Sequence, residues 1–147
     1  MLVVAQAILG FALLSVSRFA PATPQLLRPT ATLTWLGTGL LLFAFVIVAK
    51  AYFDLGHSFR VHPRPKDSAV LIRTGIYGQL RHPMYSAVIV CCVAVSIQNG
   101  SAATIAVSAA NVLFYVWKAR YEEGLLRHRY AEYPAYQRES WGVLPWL

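Results

Sequence analysis

Charge is what this sequence has least of. Only 13% of its 147 residues are charged and six are acidic, about half the charge share of an average soluble domain. With 57% hydrophobic residues and a mean hydropathy of +0.50, that shortage excludes an ordinary water-exposed surface and indicates one integral membrane unit. The two cysteines, Cys91 and Cys92, are adjacent, so a disulfide framework is excluded and packing is the role they suit. His57, His62 and His128 have no cysteine or histidine partner at ligand spacing, which leaves no metal site. Gly37 and Gly39 are followed by no third glycine and preceded by no strand pattern, so they form no dinucleotide fingerprint. They read instead as a small-residue patch for close helix packing. The first residues, Met-Leu-Val-Val, carry no positive charge, which argues against a secretory signal and for a retained span.

What is present is a set of apolar runs separated by basic blocks. The runs predict an all-α, integral membrane helical bundle of about four spans, near residues 2–17, 31–49, 84–98 and 101–117. Prolines 21, 24 and 29 break the chain between the first two spans. Pro83 suits the first turn of the third, and Gln98-Asn99-Gly100 joins the third and fourth into a helical hairpin. Strong helix formers continue past Trp117 to about Tyr130, where Pro134 ends the run. The fourth span therefore extends into a C-terminal helix within the tail, residues 118–147.

The net charge of +7 does not point to nucleic acid, because the cations lie in blocks rather than along one amphipathic face. Two basic residues follow the first span, six lie in the loop 50–82, none in the Asn99 turn and five from Lys118 onward. By the excess of Lys and Arg on the cytoplasmic side, loop and tail share that side and both termini face the cytoplasm. Trp141 and Trp146 read as interfacial anchors.

One stretch departs from the apolar plan. Leu71 to Tyr85, LIRTGIYGQLRHPMY, holds two arginines, a histidine, two tyrosines and two glycines immediately before an uncharged helix. It is open to two readings: a basic anchor for lipid headgroups, or a site for a polar or anionic ligand. The tail adds Arg120, Glu122 and Glu123, then Arg127 and Arg129. A solvated helix with i,i+4 pairs from Lys118 to Glu122 and Glu123 to Arg127 is the plain alternative there. Two such polar strips meeting at one membrane face would instead wall a single pocket.

The joint pattern Gly75-Ile76-Tyr77, Arg81-His82-Pro83-Met84-Tyr85, a helical hairpin, then Arg120-x-Glu122-Glu123 with Leu126 resembles the membrane methyltransferases related to isoprenylcysteine carboxyl methyltransferase. Leu55-Gly56 ahead of Ser58 is similar to the run before that motif in bacterial members. The resemblance covers about Phe53 to the C-terminus. Ile76 stands where the family usually has proline, and Tyr130-Ala131 where it has a Phe-Gly pair.

The resemblance implies S-adenosylmethionine on the cytoplasmic side, lined by Gly75, Tyr77, Arg81, His82, Pro83, Tyr85, Glu122 and Glu123. It implies Arg120 and Glu123 as the catalytic pair, with Arg120 holding the carboxylate of a lipid-like or prenylated acceptor reached through the bilayer. Phospholipid N-methyltransferases look like relatives by the same motif, so an amine acceptor stays open. Several sterol reductases resemble it around Arg-His-Pro-x-Tyr but use NADPH, and a non-catalytic membrane adaptor is a further alternative. With spans this short, part of the acceptor tunnel can come from a second copy in a homo-oligomer.

Overall fold

The computed structural model describes residues 23–55 and 71–144, with the isolated positions 10, 12 and 15. Most of the expected first span, residues 56–70 of the expected loop, and Trp146 lie outside the described residues. Within them the chain is helical and forms no strand. Helix α1 is Ala31–Leu55, a 3-10 turn covers Gly75–Gly78, α2 is Pro83–Asn99, α3 is Ala102–Arg129 and α4 is Tyr133–Glu139.

At ~1.5 Å per residue, the 25 residues of α1 and 28 of α3 exceed the roughly 30 Å of a bilayer's hydrocarbon core. Both are apolar enough to cross it, and α2 is a shorter apolar helix. The chain thus has the helical membrane bundle its composition predicts. α1 continues to Leu55, past the expected end of its span at residue 49. The reason is local: Lys50 does not stop the helix, because its Nζ pairs with Asp54 Oδ1 one turn on, at 2.6 Å.

Contacts divide the described chain into two compact units, and α1, α2 and α3 each contribute to both. The first unit takes residues through Ala44 and Val88–Tyr115. Here α1 is started by Thr30, whose Oγ1 accepts the Leu33 N–H at 3.2 Å, satisfying one orphan amide of the first turn. Gly37 meets the Gln98 side chain where a Cβ would stand. Gln98 Nε2 donates to the Thr34 carbonyl at 3.2 Å and to Thr38 Oγ1 at 3.1 Å. Gly39, by contrast, has open space, so close packing explains the first glycine only.

The hairpin turns at Gly100, whose φ of +70° and nearness to the Leu27 carbonyl leave no room for a Cβ. Ser101 caps α3: its Oγ accepts the Thr104 N–H at 3.3 Å, and Thr104 Oγ1 in turn bonds Asn99 Oδ1 at 2.9 Å. The buried side chains here include the cap Ser101 and, on α3, Thr104, Ser108 and Asn111, while Trp35, Leu42, Phe43 and Leu113 are exposed. Polar groups inside and large apolar groups outside is the arrangement expected when the solvent is lipid.

The second unit takes Phe45–Ala87 and Val116–Leu147. Its centre is the turn before Pro83, which is fully buried. Residues 79–82 lie beside the tail in parallel: Trp141 N donates to the Gln79 carbonyl at 2.8 Å, Arg81 N to Trp141 at 2.8 Å and His82 N to Gly142 at 3.2 Å. Two amides that would otherwise be orphaned ahead of α2 are thereby satisfied. Ser86 Oγ adds a hydrogen bond to the Val143 carbonyl. Pro134 sits at the first turn of the unexpected α4. It does not simply end a helix, since α3 already stops at Arg129.

Candidate functional site

Helix α3 beyond Trp117 turns Glu122 and Glu123 inward against the Arg81-His82-Pro83 turn. Arg81 Nε donates to Glu123 Oε1 at 2.7 Å. Its Nη1 reaches the Gln137 carbonyl at 3.1 Å and the Ser140 carbonyl, so one guanidinium ties α3 to the end of α4. His82 Nε2 lies 3.2 Å from the same Glu123 oxygen, and Nδ1 lies 4.0 Å from Glu122 Oε2. Tyr85 stacks on His82 with ring centroids 5.4 Å apart and planes within 4°. Its hydroxyl donates to the Glu122 carboxylate at 2.7 and 2.8 Å from the two oxygens.

Lys118 completes the cluster, with Nζ 3.7 Å from Glu122 Oε1 and 4.9 Å from the centre of the Tyr85 ring. The Lys118 and Arg81 side chains are only 7% and 9% exposed. The plain reading of a solvated charged helix therefore fails at this face. Burying charges is tolerable only where they are paired and hydrogen-bonded, and these are. The Lys118–Glu122 pair exists, but Glu123 pairs with Arg81. Arg127 Nε instead donates to Gln137 Oε1 at 2.7 Å.

Burial alone would raise the pKa of Glu123. The hydrogen bonds from His82 and Arg81, followed by their charges, overcome it and hold the pKa at about 2. Glu123 is thus firmly ionised and a poor base.

Beside this cluster is a cavity of about 360 Å³, within the range of small-molecule pockets. Arg81, Glu123, Arg120 and Arg127 form its polar wall, and Val116, Ala119, Gly142 and Val143 its apolar one. Arg120 is exposed and has no hydrogen-bond or ion-pair partner among the described residues.

The fold brings together Arg81, His82, Tyr85, Glu122 and Glu123 from the sequence-derived set, with Pro83 buried in the turn between them and Arg120 on the cavity wall. It puts Gly75 and Tyr77 elsewhere. Gly75 has a φ of +60° and faces the Asp54 carboxylate, which accepts the Ile76 N–H at 2.6 Å. The Tyr77 carbonyl accepts the Tyr136 hydroxyl at 2.5 Å, and burial pushes the Tyr77 phenol up to about 12. These two residues brace the strip rather than line the cavity.

The residues that sequence reasoning missed are Gln137, Ser140 and Asp54. Gln137 Nε2 donates to Glu123 Oε2 at 2.7 Å while its oxygen holds Arg127, a bridge that no local motif announces. Asp54 carried one signal, its i+4 spacing from Lys50.

The comparison with curated proteins yields no match. A family model does match: phospholipid methyltransferase, over residues 32–133. That segment holds the Arg81-His82-Pro83 turn, both glutamates and Arg120, the groups whose meeting has just been described. The chain belongs to the phospholipid methyltransferase family, and it is a membrane methyltransferase of the group its motifs resemble.

Proposed function

We propose that the chain methylates a carboxylate on a lipid-like or prenylated acceptor, using S-adenosylmethionine, at the cytoplasmic face of a multi-pass bundle with both termini on that face. The observation that carries this reading is Arg120, a guanidinium on the cavity wall with no partner among the described residues, beside carboxylates that are already engaged. A guanidinium orients a carboxylate through a two-pronged hydrogen-bonded pair. A carboxylate, with an ordinary pKa of about 3.5, is ionised at neutral pH and needs no base. Glu123, with a pKa of about 2, is unsuited to supply one.

The residues present fit the cofactor. S-adenosylmethionine supplies a methyl group whose bond to sulfur breaks as the bond to the acceptor oxygen forms, the electron pair staying on sulfur. The ionised Glu123 would face its cationic groups, and His82, Tyr85 and Arg81 hold the two glutamates in place. Pro83 fixes that turn, and Gly75 and Tyr77 brace it. Catalysis here is alignment rather than proton transfer, an effect that is worth several kcal/mol.

The family match favours a second reading, N-methylation of a phospholipid amine. Glu122 or His82 would then take the amine's proton. Membranes containing the protein, incubated with methyl-labelled cofactor and total lipid extract, separate the two. A methyl ester releases its label as volatile methanol in mild alkali, and an N-methyl group does not. Alkali-labile label supports the carboxylate reading and alkali-stable lipid label overturns it in favour of the amine.

A further inference from the structure

The two walls of the cavity are ordered along α3. Val116 lies one turn before Arg120, towards the apolar half of the helix, and Arg127 lies two turns after it. At about 100° and ~1.5 Å per residue, Arg120 and Arg127 share one face roughly 10 Å apart, close enough for two long side chains to converge. Val143 and Ala119 extend the apolar wall, and Trp117 and Tyr121, stacked on the neighbouring face of the helix, are about half exposed. The cavity is apolar at one end and cationic at the other.

Its charge is unbalanced. Arg81 and Glu123 neutralise each other at 2.7 Å. Arg120 has no partner among the described residues, and the partner of Arg127 there is the neutral amide of Gln137. Two positive charges remain. The proposed cofactor, with a sulfonium, an ammonium and a carboxylate, adds one more, so the second reactant is the one that must bring negative charge.

We propose that the cavity selects an anionic amphiphile: its anionic head sits between Arg120 and Arg127, the latter held in position by Gln137, and its apolar chain passes Val116 and Val143. This rests on the methyltransferase reading for its role, but the specificity belongs to Arg127 as much as to Arg120. A carboxylate and a phosphate ester share the required chemistry.

Calorimetry on the full chain in non-ionic detergent, with empty micelles as blank, tests this with dodecanoate, dodecyl phosphate, dodecyltrimethylammonium, acetate and inorganic phosphate. The expected result is at least tenfold tighter binding of one or both dodecyl anions than of the dodecyl cation, with no measurable binding of acetate or phosphate. Which dodecyl anion binds tighter identifies the head. Arg127→Gln, which removes the charge but keeps a group able to bond Gln137, weakens the anion about tenfold, and Arg127→Lys recovers part of it. Equal binding of the dodecyl cation and anions overturns the proposal, as does anion affinity within twofold in a folded Arg127→Gln. S-adenosylmethionine is titrated separately. Its failure to bind the native chain refutes the methyltransferase reading, while the amphiphile titrations still decide the charge selectivity.

Discussion

Replacing Glu123 by glutamine keeps the size of the side chain and removes its charge, which makes it the sharpest probe of the buried cluster. The carboxylate pKa falls from an ordinary 4.5 to about 2 in the folded chain, which corresponds to roughly 3 kcal/mol of stability at neutral pH. The sign follows from the direction. A depressed acid stabilises the fold above its unfolded pKa, and that contribution is lost as pH falls through the folded pKa, so roughly 2 kcal/mol should be gone by pH 3.

The glutamine also orphans its neighbours. Glu123 Oε2 accepts from Gln137, so an amide nitrogen there opposes a donor with a donor. Flipping Gln137 would then turn its own NH2 towards Arg127 Nε. Breaking one partner of a buried pair costs about 3–5 kcal/mol, a large part of the 5–15 kcal/mol available to a typical domain. The assay is denaturant unfolding in detergent followed by helical circular dichroism, at pH 7 and pH 3. Native chain and Glu123→Gln should differ by at least about 3 kcal/mol at pH 7, and by markedly less at pH 3. An equal gap at both pH values would refute the assignment of the stabilising charge to Glu123.

Three further expectations come from the same geometry. His82→Ala should weaken S-adenosylmethionine binding by titration, since it removes a hydrogen bond to Glu123 and the ring stacked on Tyr85; unchanged affinity removes His82 from the cofactor shell. Arg120→Leu should raise the acceptor KM about tenfold or more, with cofactor affinity unchanged, because its guanidinium has no structural partner among the described residues; a loss confined to kcat contradicts a role in binding the acceptor. Gly75→Ala should destabilise the chain by at least 1–2 kcal/mol in the same unfolding assay, the usual cost of a left-handed residue, because a Cβ also meets the Asp54 carboxylate; a neutral result would mean the turn can be rebuilt.

Much of the helical plan was legible because it depends on solvent and local chemistry. Apolar runs place α1, α2 and α3, Pro83 starts α2 and the Asn99-Gly100 pair turns the hairpin, as their own φ and capping preferences require. That the strip of Arg81 and His82 meets the strip of Glu122 and Glu123 was legible from the basic residues that put loop and tail on one membrane face, and from the joint motif. Which side chain pairs with which was not, since residues some forty positions apart carry no local sign of their pairing. What stayed hidden depends on tertiary partners. Pro134 is as compatible with opening a helix as with closing one, and the choice rests on Tyr133 and Tyr136 burying their rings. Gln137 looks like any polar helix residue until Glu123 and Arg127 stand on either side of it.

That hidden part changes how the site must be understood. Arg81 would be an expensive buried cation if Glu123 were its only neighbour, because Glu123 is shared with His82 and Gln137. The cost is met by carbonyls at the end of α4, from Gln137 and Ser140, while the next carbonyls of the tail take the Arg81 and His82 amides. Gly142 and Val143 then form part of the cavity wall. The tail after α3 is therefore structural to the motif that precedes α2: it satisfies the backbone of the His-Pro turn, orients its arginine and closes one side of the space beside Glu123. A membrane protein has few water-exposed residues with which to build a polar pocket. This one does it by returning the last segment of the chain to the loop where the polar residues are concentrated.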